Sequence, residues 1–439
     1  GFNFSAFAKS LNDPPPVSIR LNPYKTVQLN PFPNSSPIPW NKHGRYLDER
    51  PIFTFDPAFH AGAYYVQEAS SMLVLEALRQ WLPMQETPLR ILDLCAAPGG
   101  KTTLLSQLGQ QHLIVANEVI KNRFGILREN LQRWGTLNKV LTNCDVDEFK
   151  PLAGYFDIVL IDAPCSGEGL WRKDHKAVGE WSPDHVQLCA ARQRRILSGA
   201  QALVREGGIL LYCTCTYNQQ ENQHNVEWLQ QTFNLEGLQA SLPAVWGVEE
   251  QAFAKSFGYQ CYPHRVKGEG FFFAGFRQIN AVATTISNKK NKKRVASVFT
   301  ALSKKERHQL QPYLQDATNL QFFYHHDQQL TTIQEQYWDD LQLLGSILRK
   351  HKAGLNLGSF KKNDFVPDHE LALAQQPLPN FPVLELDKQS ALLFLKREPF
   401  LHDSQSKGWH LVRYEGLPLG WVKVLPNRIN NYLPKGWRI

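Results

Sequence analysis

Between Arg90 and Cys213 the chain alternates short apolar runs with longer amphipathic ones, and few folds accept that pattern. The runs are Arg90–Leu94, Leu113–Ala116, Lys139–Thr142, Asp157–Ile161 and Ile209–Cys213, apolar on both parities. A strand with one wet face alternates polar and apolar residues, whereas a strand covered on both faces does not. Helical patterns lie between them, at Thr102–Leu108, Asn122–Trp134 and His185–Val204. Gly207-Gly208 is expected to end the last helix and turn the chain into the next strand. This alternation predicts an α/β fold with a parallel sheet and right-handed crossovers. Such sheets gather ligands and reactive groups beyond the carboxyl ends of their strands. Phe271–Phe276 reads as a buried closing strand that pairs antiparallel with Tyr259–Val266.

The chain is too long for one core, since 439 residues suggest two to four domains. Residues 1–60 are proline-rich, with a strand-like Val17–Leu21, and read as an N-terminal appendage. The sheet domain is expected over 61–280, opening on a helix at Ala69–Trp81 with Met72, Leu73, Leu75, Leu78 and Leu82 on its apolar side. Residues 281–296 hold the basic run Asn288–Arg294 and read as a linker. Residues 297–380 read as mainly helical, with Leu341, Leu344 and Leu348 on one face. A proline cluster from Pro377 to Pro382 precedes a compact β unit over 381–439, with strands at Leu384–Leu386, Ala391–Leu395, Trp409–Tyr414 and Gly420–Leu425.

Composition narrows the function classes. No apolar run reaches the roughly 20 residues that span a bilayer, and Gly1-Phe2-Asn3-Phe4 lacks a signal pattern. A net charge of +8 favours a polyanionic partner, most simply nucleic acid. Seven cysteines without Cys-x-x-Cys spacing fit reduced thiols of a cytoplasmic protein, and neither a disulfide framework nor a zinc site.

Cys95-Ala96-Ala97-Pro98-Gly99-Gly100-Lys101 joins the first strand to a helix. Its small residues and two glycines let backbone approach a ligand closely. Gly100-Lys101-Thr102 matches the end of a phosphate loop, but that motif needs glycine where Cys95 stands. Glu118 follows the second strand, where a carboxylate can accept both hydroxyls of a ribose. Asp145 follows the third and is expected to face an adenine amino group. Each acid alone reads as a solvated strand-end residue; together they favour an adenosine-bearing cofactor. No second glycine fingerprint points to a dinucleotide, so S-adenosyl-L-methionine fits best.

Two thiols share that edge. Asp162-Ala163-Pro164-Cys165 ends the fourth strand and Cys213-Thr214-Cys215-Thr216 the fifth. Cys144, Cys189 and Cys213 suit burial as inert core residues. Cys165 and Cys215 lie in polar, turn-forming sequence just past strand ends, which suits burial poorly. Carbon 5 of cytosine is a poor nucleophile, and adding a thiolate at carbon 6 turns the ring into an enamine that accepts a methyl group. Asp162 can hydrogen-bond the cytosine edge as charge develops, or simply cap the following turn. The residues themselves do not rank the two thiols.

The sequence resembles the RNA cytosine-5 methyltransferases over residues 15–277. The matching elements are Asp93-x-Cys-Ala-Ala-Pro-Gly-Gly-Lys-Thr102, Glu118, Asp145, Asp162-Ala-Pro-Cys-Ser-Gly167 and Thr214-Cys215-Thr216. Gly62-x-Tyr-Tyr-Val-Gln-Glu-Ala-Ser-Ser71 and Gly268-Glu-Gly-Phe-Phe272 match as well. The resemblance implies a Rossmann-like S-adenosylmethionine-dependent methyltransferase sheet, with Cys215 as nucleophile and Cys165 assisting product release. DNA cytosine-5 enzymes use the proline–cysteine thiol instead and lack the second.

The tail, from Gly408 to Val424 and from Asn430 to Arg438, resembles the PUA-like RNA-binding domain of bacterial 16S rRNA members. That implies methylation of cytosine 1407 in the decoding region of 16S rRNA, within the assembled small subunit, by a monomer. Trp409, Tyr414, Trp421, Tyr432 and Trp437 supply either stacking surfaces or a small β core with a basic rim. The alternatives are a methyltransferase acting on tRNA or 23S rRNA, and a non-catalytic rRNA-binding assembly factor.

Overall fold

The computed structural model describes residues 2–439 except 26–31, 83–86, 254, 283–297, 326–328, 363, 377 and 401–405. The basic run Asn288–Arg294, and nearly all of the expected 281–296 linker, lie outside the described residues.

Five parallel strands form the centre: β1 (Arg90–Asp93), β2 (Leu113–Asn117), β3 (Lys139–Thr142), β4 (Phe156–Asp162) and β5 (Val204–Thr214). Their order is β5-β4-β1-β2-β3, so the chain reverses direction across the sheet on either side of β1. Every residue of β2 and β3 is buried, as strands covered on both faces require. β6 (Ser256–Cys261) and β7 (Phe271–Gln278) continue the sheet antiparallel, with Tyr259 opposite Phe273 and Phe273 opposite Cys213. At the other edge His351–Ala353 pairs antiparallel with β3. Among the described residues this sheet has ten strands.

The crossover helices are α1 (Gly100–Leu105), α2 (Lys121–Trp134) and α3 (Pro183–Gln201). Ser182 caps α3 by accepting the His185 N–H at 3.1 Å, with Pro183 as the first helical residue. Gly207-Gly208 does not end this helix, as the sequence reading expected. Both glycines lie inside β5, where the pairing with β4 slips between Phe156 and Ile158. Gly207 has φ +74°, and a Cβ on Gly208 would lie 2.8 Å from the Asp157 carbonyl oxygen, so the bulge rather than the cap demands glycine. No helix among the described residues is long and apolar enough to cross a membrane.

The N-terminal unit is a four-stranded sheet that takes Tyr64–Val66 as an edge strand, so it runs past residue 60. Arg20 fastens it to the central domain. The fully buried guanidinium donates to Gln67 Oε1 at 2.7 Å and Thr103 Oγ1 at 2.6 Å, and lies 4.5 Å from the Trp134 ring. Burial brings the Arg20 pKa down to about 9.

Residues 297–380 are not mainly helical. Thr300–Ala301, Leu320–Tyr324, Leu330–Gln334, Leu355–Lys361 and Asp364–Pro367 form a five-stranded sheet. Gln321 and Thr332 occupy buried strand positions, and the Thr332 hydroxyl donates to the Gln321 carbonyl at 3.1 Å. Polar residues satisfied inside a sheet erase the alternation that marks a strand. The helix Trp338–Ile347 buries Leu341 and Leu344, with Leu348 buried just beyond it, as the spacing predicts.

In the tail, Ala391–Leu395 is also not a strand. It belongs to a helix, Lys388–Lys396, started by Asp387 accepting the Ser390 N–H and ended by Arg397 at φ +58°. A five-residue apolar run has no readable period, and the caps decide its form. This helix crosses between the parallel strands Val383–Leu386 and Gly408–Tyr414. Leu384, Phe394 and Val412 share one core with Ile19, Leu47 and Tyr64, so the two ends of the chain pack together.

Candidate active site

The carboxyl ends of β1, β2, β4 and β5 carry four loops that face one another. The first loop leaves β1 after Asp93, which is fully buried and accepts the Thr102 hydroxyl at 2.6 Å through Oδ2. Burial raises the Asp93 pKa to about 7, and Asp162 adds to the rise against the Thr102 hydrogen bond. Its Oδ1 is buried without a hydrogen bond. Cys95 is half-buried, Ala96 and Ala97 are buried and Pro98 is exposed. The Ala96 N–H donates to the Asn117 carbonyl at 2.8 Å, which ties the loop to the end of β2. Arg123 donates to the Ala97 carbonyl at 2.6 Å, and Asn130 donates to the Pro98 carbonyl at 2.8 Å. Gly99 turns the chain at φ +110°, and Gly100 opens α1 without a side-chain cap.

Glu118, directly after β2, is buried and accepts the Ile120 N–H at 2.8 Å, with Arg123 3.6 Å away. Asp145, past β3, starts a helical turn, and both its oxygens accept from Arg195 of α3 at 3.0 Å. That pairing, above all, holds the Asp145 pKa low. The two acids stand at the ends of neighbouring strands, since Asn117 pairs with Thr142. Asp145 faces an arginine in this structure rather than open space.

Asp162 closes β4 and receives Lys101 Nζ at 2.8 Å. Burial pulls the Lys101 pKa down, but Asp162, with Cys213 and Cys215 nearby, more than reverses it. The ammonium also lies 4.9 Å from the Phe271 ring. This pair bridges the glycine loop to the thiols.

Cys165 and Cys215 meet, with their sulfurs 3.1 Å apart. That exceeds the roughly 2.05 Å of a disulfide, and both are free thiols. The Cys215 N–H also donates to the Cys165 sulfur at 3.4 Å. Hydrogen bonding to Cys215, then burial, pushes the Cys165 pKa well above the ordinary thiol range. Adjacent pairing of β4 and β5, with Asp162 opposite Cys213, creates this encounter. Cys213 is fully buried and Cys144 and Cys189 are buried too.

Sequence reasoning missed the frame beneath the thiols. Glu221, fully buried, accepts the Ser166 N–H at 3.0 Å, Gln193 Nε2 at 2.6 Å and Asn218 Nδ2 at 2.7 Å. Asn218 also donates to the Thr216 and Ser166 hydroxyls at 2.8 and 3.1 Å. Gln193 reaches the Pro164 carbonyl at 3.0 Å. One buried carboxylate thus holds both thiol loops. The signal was Asn218-x-x-Glu221-Asn222 after Thr-Cys-Thr, which reads equally well as a start for the helix Gln223–Thr232. Gly169 packs directly against the chain just past β5: a Cβ there would lie 2.9 Å from the Cys215 carbonyl oxygen.

Comparison with known proteins matches these parts in order. Residues 79–277 match the family of 16S rRNA methyltransferase RsmB/F, 1–69 the N-terminal domain of 16S rRNA methyltransferase RsmF, and 381–439 the methyltransferase RsmF PUA domain. The chain is 31% identical to ribosomal RNA small subunit methyltransferase F of Vibrio vulnificus, over 99% of this chain and 93% of the relative. It is 34% identical to the protein so named in Shewanella loihica, over 95% of this chain and 88% of that one. A solved methyltransferase homologue from Pyrococcus horikoshii is 29% identical, with a TM-score of 0.52, covering 62% of this chain and 90% of its own. NSun6 from Pyrococcus horikoshii, at 22% identity and TM-score 0.51 over 63% of this chain and 94% of its own, shares the fold. This chain belongs to the RsmB/F family of 16S rRNA methyltransferases and is an RNA methyltransferase enzyme of the F type.

Proposed function

We propose that this enzyme methylates carbon 5 of a cytosine in 16S rRNA, at position 1407 of the decoding region in the assembled small subunit. The observation that carries the chemistry is the pair of free thiols 3.1 Å apart beside the Lys101–Asp162 ion pair. The relatives named ribosomal RNA small subunit methyltransferase F support the substrate.

The residues present suit S-adenosyl-L-methionine. The buried Asp93 Oδ1 without a donor suits an amino group. Glu118 has acceptor capacity beyond its bond to Ile120, which suits ribose hydroxyls, and Cys95 to Lys101 form the backbone cradle. Asp145 takes the adenine amino group in this reading, sharing its oxygens with Arg195. When bound, the cofactor supplies an electrophilic methyl group.

The target base leaves its stack to enter the pocket. Cys215, as thiolate, adds to carbon 6; the sulfur–carbon bond forms and the displaced π pair makes carbon 5 nucleophilic. Lys101 holds Asp162 in place, so that its carboxylate accepts from the cytosine amino group as charge develops. After carbon 5 takes the methyl group, its proton is lost to solvent, the ring double bond re-forms and the bond to Cys215 breaks. Cys165, held protonated, donates a hydrogen bond to the departing sulfur and so assists release.

The test is mass mapping of 5-methylcytosine in 16S rRNA from cells with and without the gene. The modification at cytosine 1407 is expected to vanish in the second; its persistence would overturn the assignment. Cys165→Ala is expected to accumulate a covalent protein–RNA adduct. An active Cys165→Ala enzyme with no adduct would remove the release role.

A further inference from the structure

A cleft of about 600 Å³ opens between the N-terminal unit and α2, away from the thiols. Arg50, Phe53, Phe59, Tyr65, Asn130 and Arg133 line it. Its size falls within the range of small-ligand pockets, ~300–1,000 Å³. Its walls alternate flat rings and guanidinium groups. Arg50 lies 5.5 Å from the Phe53 ring and Arg133 4.7 Å from the Phe59 ring. The buried Arg133 donates to Asn130 Oδ1 at 2.9 Å and to Glu129 at 2.6 Å, yet its Nε is buried without a hydrogen bond. Arg133 also lies 5.1 Å from the ring of Trp437, in the PUA unit.

Rings beside guanidinium groups are what an unstacked nucleotide needs: a face to stack on and a cation for its phosphate. A purely apolar ligand would desolvate Arg50 and still leave the Arg133 Nε without an acceptor. The position favours RNA over a free nucleotide, because one wall touches the PUA unit and the other the cofactor loop. Asn130 and Tyr65 both donate to the Pro98 carbonyl, at 2.8 and 3.3 Å. An occupant of the cleft therefore presses on residues that hold that loop.

We infer that this cleft holds one unstacked nucleotide of the RNA substrate, distinct from the cytosine that is methylated. The inference rests on the RNA methyltransferase reading above. It makes the N-terminal unit part of substrate recognition and gives the enzyme a second base pocket between the PUA unit and the cofactor loop.

The experiment compares the full chain with Phe53→Ala and Arg50→Ala, using small ribosomal subunits as substrate and labelled methyl transfer as readout. Phe53→Ala is expected to raise KM for the RNA about tenfold, the size of a lost base–aromatic stack, with kcat and S-adenosylmethionine affinity unchanged. Arg50→Ala is expected to lower the slope of log affinity against log salt by about 0.7, one single-strand phosphate contact. Arg50 is exposed, so this variant keeps the test open if Phe53→Ala fails to fold. Unchanged KM and salt slope in active variants would overturn the cleft assignment. So would adenosine or cytidine monophosphate binding in the cleft without any change in RNA KM. A wild-type chain that transfers no methyl group to any RNA would instead overturn the underlying reading.

Discussion

The two halves of the site are held in different ways. The thiol half is fixed from within: a fully buried Glu221 ties the Cys165 and Cys215 loops through Ser166, Gln193 and Asn218. In the cofactor half Asp93 and Thr102 are buried together, but the acids past β2 and β3 are paired with arginines at the surface. Arg123 beside Glu118 is 45% exposed, and Arg195 on Asp145 is 55% exposed. Buried polar partners cannot be exchanged without a large penalty, whereas exposed ion pairs are worth ~0–1 kcal/mol and rearrange readily. The thiol pair is therefore prearranged, while the two strand-end acids can trade their arginines for a ligand.

Removing the nucleophile should have the largest effect. Cys215→Ala is expected to lower methyl transfer more than about a thousandfold, since the covalent route is lost. Labelled-methyl transfer measures this, and full activity would end the idea that the two thiols have distinct roles.

Asp93 tests whether the cofactor half stores strain of its own. Its carboxyl binds a proton more tightly folded than unfolded, because its pKa rises from 3.8 to about 7. Its contribution to stability is therefore full below about pH 3.8 and is lost as pH climbs through about 7. Between those limits the loss amounts to up to about 4 kcal/mol. Denaturant unfolding across this window should show the decline relative to Asp93→Asn, which has no such group to titrate. Parallel pH profiles for the two proteins would refute it.

Glu221→Gln tests the thiol half more gently. It is expected to cost about 1–3 kcal/mol of stability, as one buried bond is left unmade. Release should slow about tenfold, so that adduct accumulates while its formation is little changed. A merely structural role would slow both steps together, and rapid-quench measurement of adduct separates the cases. Arg195→Ala should do least. Stability should move by less than about 1 kcal/mol, and S-adenosylmethionine should bind no more weakly, because Asp145 loses a competitor. Weaker binding in calorimetry would mean that Arg195 itself serves the cofactor.

The sequence made much of this legible. The five apolar runs became β1 to β5 because strands buried on both faces carry their own composition. The glycine loop, Glu118 and the Asp162-Ala-Pro-Cys run stand out because few backbones need small residues or polar turns at strand ends. The middle sheet was not legible, since Gln321 and Thr332 find partners inside it, Thr332 on a backbone carbonyl and Gln321 on Arg307, and mask its period. Nor was the helix Lys388–Lys396, whose apolar run is too short to show a repeat.

By itself, then, the sequence determined the class of sheet, the strand-end positions of both thiols and the acids, and the family. Local spacing carries that information, because each strand and turn is specified by neighbouring residues. Tertiary structure alone decided that the two sulfurs lie 3.1 Å apart, that Glu221 rather than a local cap holds both loops, and that Asp145 is engaged by Arg195. It also decided that residues near 20, 390 and 412 share a core. Those facts join residues tens to hundreds of positions apart, and only the order of strands in the sheet brings them together.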